Sequence, residues 1–126
     1  MNPVIQLENV NFSYRGANSP PALKEVNLSL ERGCFCSIIG PNGGGKSTLL
    51  KLLLGVLLPD SGSIRVLGTS PEKARLKIGY MPQSHDLDPA FPIRALEVVL
   101  MGRLHRHFFG GYSRVDLRKA AEAMDA

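Results

Sequence analysis

No apolar run in this sequence is long enough to cross a bilayer. The richest, Leu49 to Leu58, is interrupted by Lys51 and Gly55, and a spanning helix needs about 20 apolar residues. The N-terminus, Met1-Asn2-Pro3-Val4-Ile5-Gln6-Leu7-Glu8, lacks the basic region and apolar core of a signal peptide. The expectation is a cytoplasmic chain without direct membrane insertion, reaching a membrane only through a partner. Cysteine is scarce too. Cys34 and Cys36 are the only two. Two thiols cannot complete a tetrahedral zinc site, and near neighbours on one strand rarely make a good disulfide. They read as small apolar filler in a core. Charge of one sign is not concentrated: the net +4 comes from scattered basic residues, which does not argue for nucleic acid. Internal repeats, low-complexity tracts and interdomain linkers are absent. A hydrophobic fraction of 44% and a charged fraction of 21% over 126 residues fit a soluble globular domain large enough for a core.

What the sequence does contain is Gly40-Pro41-Asn42-Gly43-Gly44-Gly45-Lys46-Ser47-Thr48. It fits G-x-x-x-x-G-K-[ST], the phosphate-binding loop pattern, with Gly40, Gly45, Lys46 and Ser47 at the defining positions. A loop that wraps a polyphosphate must turn its N–H groups inward, which glycine permits. Lys46 supplies a point charge to the β- and γ-phosphates, and the Ser47 hydroxyl is placed to ligate Mg²⁺. The following helix adds the positive end of its dipole. Context supports the pattern. Cys34-Phe35-Cys36-Ser37-Ile38-Ile39 before it reads as a strand buried on both faces, and Ser47 to Leu54 after it as a helix closed by Gly55. Strand, glycine loop and helix form the expected arrangement.

Elsewhere, Val4 to Val10 has strand character, with Ile5 and Leu7 on one face, and a turn-rich segment from Arg15 to Pro21 follows Phe12-Ser13-Tyr14. Val26, Leu28 and Leu30 alternate on a second strand. Two antiparallel strands before a parallel one predict a mixed sheet. After the first helix come a turn over 57–63, a strand over Ile64–Gly68 and a short helix capped by Ser70 with Pro71 at its first position. Lys77 to Met81 reads as a strand leading to Gln83, whose amide is suited to Mg²⁺ or an attacking water. Ile93, Leu96, Val99 and Leu100 predict a helix ending at Gly102. His105 and His107 have no third ligand nearby, so a basic loop or partner surface is favoured over a metal site. Ser113 and Asp116 form a capping box for a last helix, with Leu117, Ala120, Ala121 and Met124 on its apolar side. On residue type alone, Tyr14 and Gln83 are ordinary strand-end and loop residues.

Taken together, Phe12-Ser13-Tyr14, Gly40 to Thr48, and Gly79-Tyr80-Met81-Pro82-Gln83 closely resemble the ATP-binding subunits of ABC transporters. Leu23 to Leu28 and Pro59 to Ile64 agree, and the resemblance covers nearly the whole sequence. It implies an α/β fold: a P-loop NTPase core over residues 1–83, its mixed sheet having antiparallel N-terminal strands and a parallel strand–P-loop–helix unit. The start of a helical subdomain follows over 84–126. By resemblance Tyr14 is the adenine-stacking aromatic. Gly40, Pro41, Asn42, Gly43, Gly44, Gly45, Lys46, Ser47 and Thr48 form the Walker A motif, and Gln83 is the Q-loop glutamine. Lys46 and Gln83 are then the catalytic candidates, with Ser47 and Gln83 as ligands of the Mg of MgATP.

The family's LSGGQ-like signature, its Walker B aspartate with adjoining glutamate, and its switch histidine do not occur in these residues. None of His85, His105 and His107 has the switch position. The resemblance therefore implies roughly the N-terminal half of such a subunit, truncated within a helix, that binds MgATP weakly and does not turn it over. Phe91 to Arg103 and the Gly43-Gly44-Gly45 form of the loop resemble zinc and manganese importers. Iron-chelate and cobalamin importers are the alternative. Implied partners are a transmembrane permease, contacted through Gln83 to about Tyr112, and a second ATP-binding subunit, on the cytoplasmic face of the membrane. Two readings of other classes compete: a non-catalytic nucleotide-binding fragment, and a small-molecule kinase. Tyr14 and Gln83 speak against the kinase.

Overall fold

The computed structural model describes residues 3–14, 19–81, 93–104 and 111–125. They fall into two compact units, within residues 1–80 and 81–126. The first is built on a three-stranded antiparallel sheet. Its middle strand, β1 (Ile5–Phe12), pairs with β2 (Leu23–Leu30) on one edge and β3 (Ser61–Val66) on the other. Leu7 is buried on β1 as the alternation predicts, but burial then moves to Val10 and Phe12. The change of phase occurs at Asn9, whose φ is 48°, and the register with both neighbours shifts there. An extra residue in a strand sends every later side chain to the opposite face. β2 has a matching irregularity at Glu25, φ 49°.

Asparagine side chains satisfy the backbone groups that these bulges free. Asn9 N–H donates to Asn27 Oδ1 at 2.9 Å, and Glu25 N–H to Asn11 Oδ1 at 2.8 Å. Asn11 Nδ2 donates to the Asn9 carbonyl at 2.9 Å and to Ser61 Oγ at 3.0 Å, joining all three strands.

Helix α1 (Lys46–Leu53) buries Leu49, Leu52 and Leu53 in one cluster with Leu7, Val10, Phe12, Leu23, Ile64 and Val66. Their spacing is that of a single helix face. The helix ends as predicted at Gly55, φ 65°. Gly55 N–H donates to the Leu52 carbonyl at 3.0 Å and Val56 N–H to that of Lys51 at 2.9 Å, the paired bonds of a Schellman end. β3 begins three residues before the predicted strand and stops at Val66. Leu67 and Gly68, at φ 52° and 73°, form a two-residue turn, the conformation favoured between twisted strands. Ser70 and Pro71 head the short helix α2 (Pro71–Ala74), which continues into a 3₁₀ turn over Arg75–Lys77. The hydrogen bond from Glu72's own backbone N–H, then one from Ser70, holds the Glu72 carboxyl below its ordinary range.

Two predicted strands are not formed. Cys34 to Ile39 is irregular, and Phe35 and Ile39 are 95% and 93% exposed. Cys34 and Cys36 are exposed free thiols rather than core filler. Lys77 to Met81 is likewise no strand, although Ile78 packs against the core. The reason lies in the pairing. The sheet has the order β2-β1-β3, and among the described residues neither run pairs with the open edge of β2 or β3; an apolar run forms a strand only where another strand accepts its backbone bonds. Among the described residues the sheet is antiparallel throughout, without the parallel member of the predicted mixed sheet.

The second unit pairs α3 (Ala95–Met101) with α4 (Arg114–Met124). Glu97 Oε2 accepts from the Arg94 N–H at 2.9 Å at the start of α3. Ser113 and Asp116 form the predicted capping box of α4. The predicted apolar side of α4 is only partly covered: Ala120 is buried, while Leu117 and Met124 are exposed.

Candidate functional site

The glycine loop is anchored from its C-terminal end. Gly45 is the N-cap of α1 at φ 78°, and its carbonyl accepts the first helical bond, from Leu49 N–H at 2.8 Å. A Cβ on Gly45 would stand 2.6 Å from the Ala22 carbonyl oxygen and 2.8 Å from Leu23 Cδ2. The start of β2 thus presses on the loop at a place only glycine fits. Gly43, φ 80°, allows the tight turn in which Gly44 N–H donates to the Pro41 carbonyl at 3.1 Å. Gly40 faces open space.

Lys46 folds back over the loop, its ammonium donating to the Gly40 and Pro41 carbonyls at 2.8 and 2.6 Å. α1 has no side-chain cap and no acidic residue in its first turn. Its first N–H groups are therefore available to an anion beside a fixed positive charge. Ser47 is exposed, and its hydroxyl has no hydrogen-bond partner among the described residues. One hydroxyl does not hold a metal ion by itself, and no group of three His, Cys, Asp or Glu that could do so occurs among the described residues. A Mg²⁺ that arrives with phosphate oxygens suits this donor set.

Tyr14, just past β1, comes to the same end of α1. Its hydroxyl is 3.0 Å from Thr48 Oγ1, and its ring stands at 85° to that of Phe12 with centroids 5.0 Å apart. Asp60 Oδ2 accepts from the Ser13 N–H at 2.7 Å, and Asn11 O from the Asp60 N–H at 2.9 Å, pinning the segment that carries Tyr14. Sequence reasoning read Asp60 only as a turn residue. Its one signal was an acid within the turn over 57–63, too common to single out. Gln83, His85, Arg106, His105 and His107 lie outside the described residues. The apolar recess of about 320 Å³ lined by Leu50, Leu53, Leu54, Ile78 and Tyr80 includes none of the loop residues. No helix among the described residues is long and apolar enough to cross a membrane.

A family model described as ABC transporter matches residues 23–125. A probable metal transport system ATP-binding protein of Chlamydia trachomatis is 42% identical over 125 residues, covering 98% of this chain and 52% of that protein. The manganese transport system ATP-binding protein MntB of Bacillus subtilis is 39% identical over 96% of this chain and 44% of its own length. The chain thus spans about half the length of the curated relatives it matches. Among solved structures, the dimeric bacterial ABC transporter cassette MJ0796 superposes with a TM-score of 0.77 at 30% identity, covering 96% of this chain and 56% of that one. The neighbours carry the P-loop NTPase fold class, even though the parallel strand before the loop is not formed here. With a family match over most of its length and relatives near 40% identity, the chain belongs to the ABC transporter family.

Proposed function

We propose that this chain is the ATP-binding part of a subunit that energises an ABC importer for a divalent metal ion, zinc or manganese. The observation that carries the reading is the convergence of Gly45, Lys46, Thr48 and Tyr14 at one end of α1. The loop amides from Gly43 to Thr48 and the Lys46 ammonium bind the β- and γ-phosphates, and the Tyr14 ring stacks on adenine. Ser47 and Gln83 would hold the magnesium ion, which when bound would neutralise phosphate charge. For binding, Lys46 exchanges two carbonyl partners for phosphate oxygens, a stronger, charge-assisted pairing. The metal cargo is supported by the relatives, which are named for metal, manganese and zinc transport.

Phosphoryl transfer to water also needs a group that orients the nucleophile, and residues 1–126 include no Walker B glutamate or signature motif. This chain alone binds MgATP and does not turn it over. Lys46→Ala abolishes binding in calorimetric titration, and sustained hydrolysis by the pure chain that Lys46→Ala removes would overturn the claim of no turnover. Its partners are a second ATP-binding subunit and a transmembrane permease at the cytoplasmic face. The permease contact lies within Gln83 to Tyr112, where α3 and the turn after it expose Val98, Met101 and Leu104. In the source cells, Lys46→Ala in the gene lowers uptake of zinc or manganese. Loss of iron-chelate or cobalamin uptake instead would move the cargo to the alternative class.

A further inference from the structure

We propose that Thr48 is a positioning residue for Tyr14, coupling the base platform to the phosphate loop through one hydroxyl–hydroxyl bond. The inference rests on the nucleotide-binding reading above and adds to it a residue that acts through another. Tyr14 is 60% exposed, and an exposed aromatic at a strand end ordinarily samples several rotamers. Here three contacts restrict it. Asp60 fixes the backbone one residue earlier, through the Ser13 N–H. Phe12, itself buried, meets the ring at a right angle. Thr48 Oγ1 holds the far end of the ring at 3.0 Å.

Thr48 is only 5% exposed and lies in the first turn of α1. Tyr14 is the one side chain bonded to its hydroxyl among the described residues. A buried hydroxyl without a partner is disfavoured, so the bond constrains both ends: Thr48 keeps a partner, and Tyr14 keeps one ring orientation. The ring that stacks on the base is thereby tied to the helix that begins the phosphate site. Ordering the platform beforehand removes part of the entropy lost on binding.

The test compares binding of MgATP and of inorganic tripolyphosphate by calorimetry, for the wild-type chain, Tyr14→Phe, Thr48→Val, Thr48→Ser and the Tyr14→Phe/Thr48→Val pair. Circular dichroism checks each fold. The preference for MgATP over tripolyphosphate should fall about tenfold in Tyr14→Phe and in Thr48→Val, a factor equal to ~1.4 kcal/mol. The double variant should lose no more than either single one, because all three remove the same bond. Thr48→Ser, which keeps the hydroxyl, should retain the preference. A Thr48→Val chain with wild-type preference, or a double variant whose losses add, would overturn the coupling while leaving the nucleotide reading intact. A wild-type chain that binds neither ligand would overturn the nucleotide reading, and one that binds both equally would remove the base platform; either takes the coupling with it.

Discussion

The Arg103 guanidinium makes an ion pair and hydrogen bond with the carboxylate of Asp116, which is 2% exposed and caps α4 through Ser113. One side chain thus closes the second unit from both ends, joining the turn after α3 to the start of α4. Removing a charged partner from a buried carboxylate is costly, so Arg103→Met should destabilise this unit by about 3 kcal/mol. Hydrogen exchange of the α3 and α4 amides is the measurement. Exchange unchanged from wild type would mean that solvent already screens the pair. Charge reversal at Arg103 consequently disturbs the unit itself before it disturbs any partner. Met101→Glu, on the exposed side of α3, is the cleaner test of permease contact by co-purification.

Capping and helix ends were readable from local chemistry. Ser113 with Asp116, Gly55 after α1 and Pro71 in α2 each occupy the predicted place, because such signals act within one turn of the chain. Pairing was less readable. The alternation of β1 is clear as far as Leu7, but nothing about an asparagine announces that Asn9 will adopt φ 48° and reverse the pattern. The apolar run from Cys34 to Ile39 has the composition of a buried strand, yet composition does not supply the neighbours that would bury it. At the site, the glycines and Lys46 were evident from spacing. The meeting of Tyr14 with Thr48, 34 positions apart, depends on the core that β1 and α1 share, which no local pattern encodes.

The asparagine network should behave as a unit. Asn11 contacts the backbone of both bulges and Ser61 on β3. Asn11→Ala leaves the Glu25 N–H and the Asn9 carbonyl without these partners, and each unsatisfied group costs about 1–3 kcal/mol where water cannot replace the bond. Because these bonds lie at exposed positions, the expected loss is at the lower end, about 1–2 kcal/mol. Asn27→Ala removes bonds to Asn9 and Glu25. Urea titration of the double variant should show less than the sum of the two losses; strict additivity would argue against a shared network.

Two glycines of the loop should respond differently to the same substitution. Gly45→Ala combines a left-handed backbone with a close approach to the Ala22 carbonyl and Leu23, so it should cost more than about 1 kcal/mol. It should also displace the start of α1 and weaken binding of tripolyphosphate. Gly40→Ala meets nothing within 4 Å and has no positive φ, so stability should stay within about 0.5 kcal/mol of wild type. Thermal melts of the two variants decide the matter, and equal losses would contradict the contact between β2 and the loop.

Thiol chemistry gives a direct reading of the run before the loop. Cys34 and Cys36 are both free and exposed, with Phe35 between them also exposed. In dilute solution, an aromatic thiol reagent should therefore modify two cysteines per native chain, at a rate close to that in denaturant. The same exposure predicts self-association, because an exposed apolar run outside the sheet is a template for pairing with another copy. Phe35→Ser should lower light scattering at a given concentration without changing α1, whose amides serve as the internal control in hydrogen exchange. Slow, denaturant-dependent modification of both thiols would show instead that the run is covered in solution. Dilution separates the causes: protection lost on dilution comes from a second copy, and protection that persists comes from the chain itself.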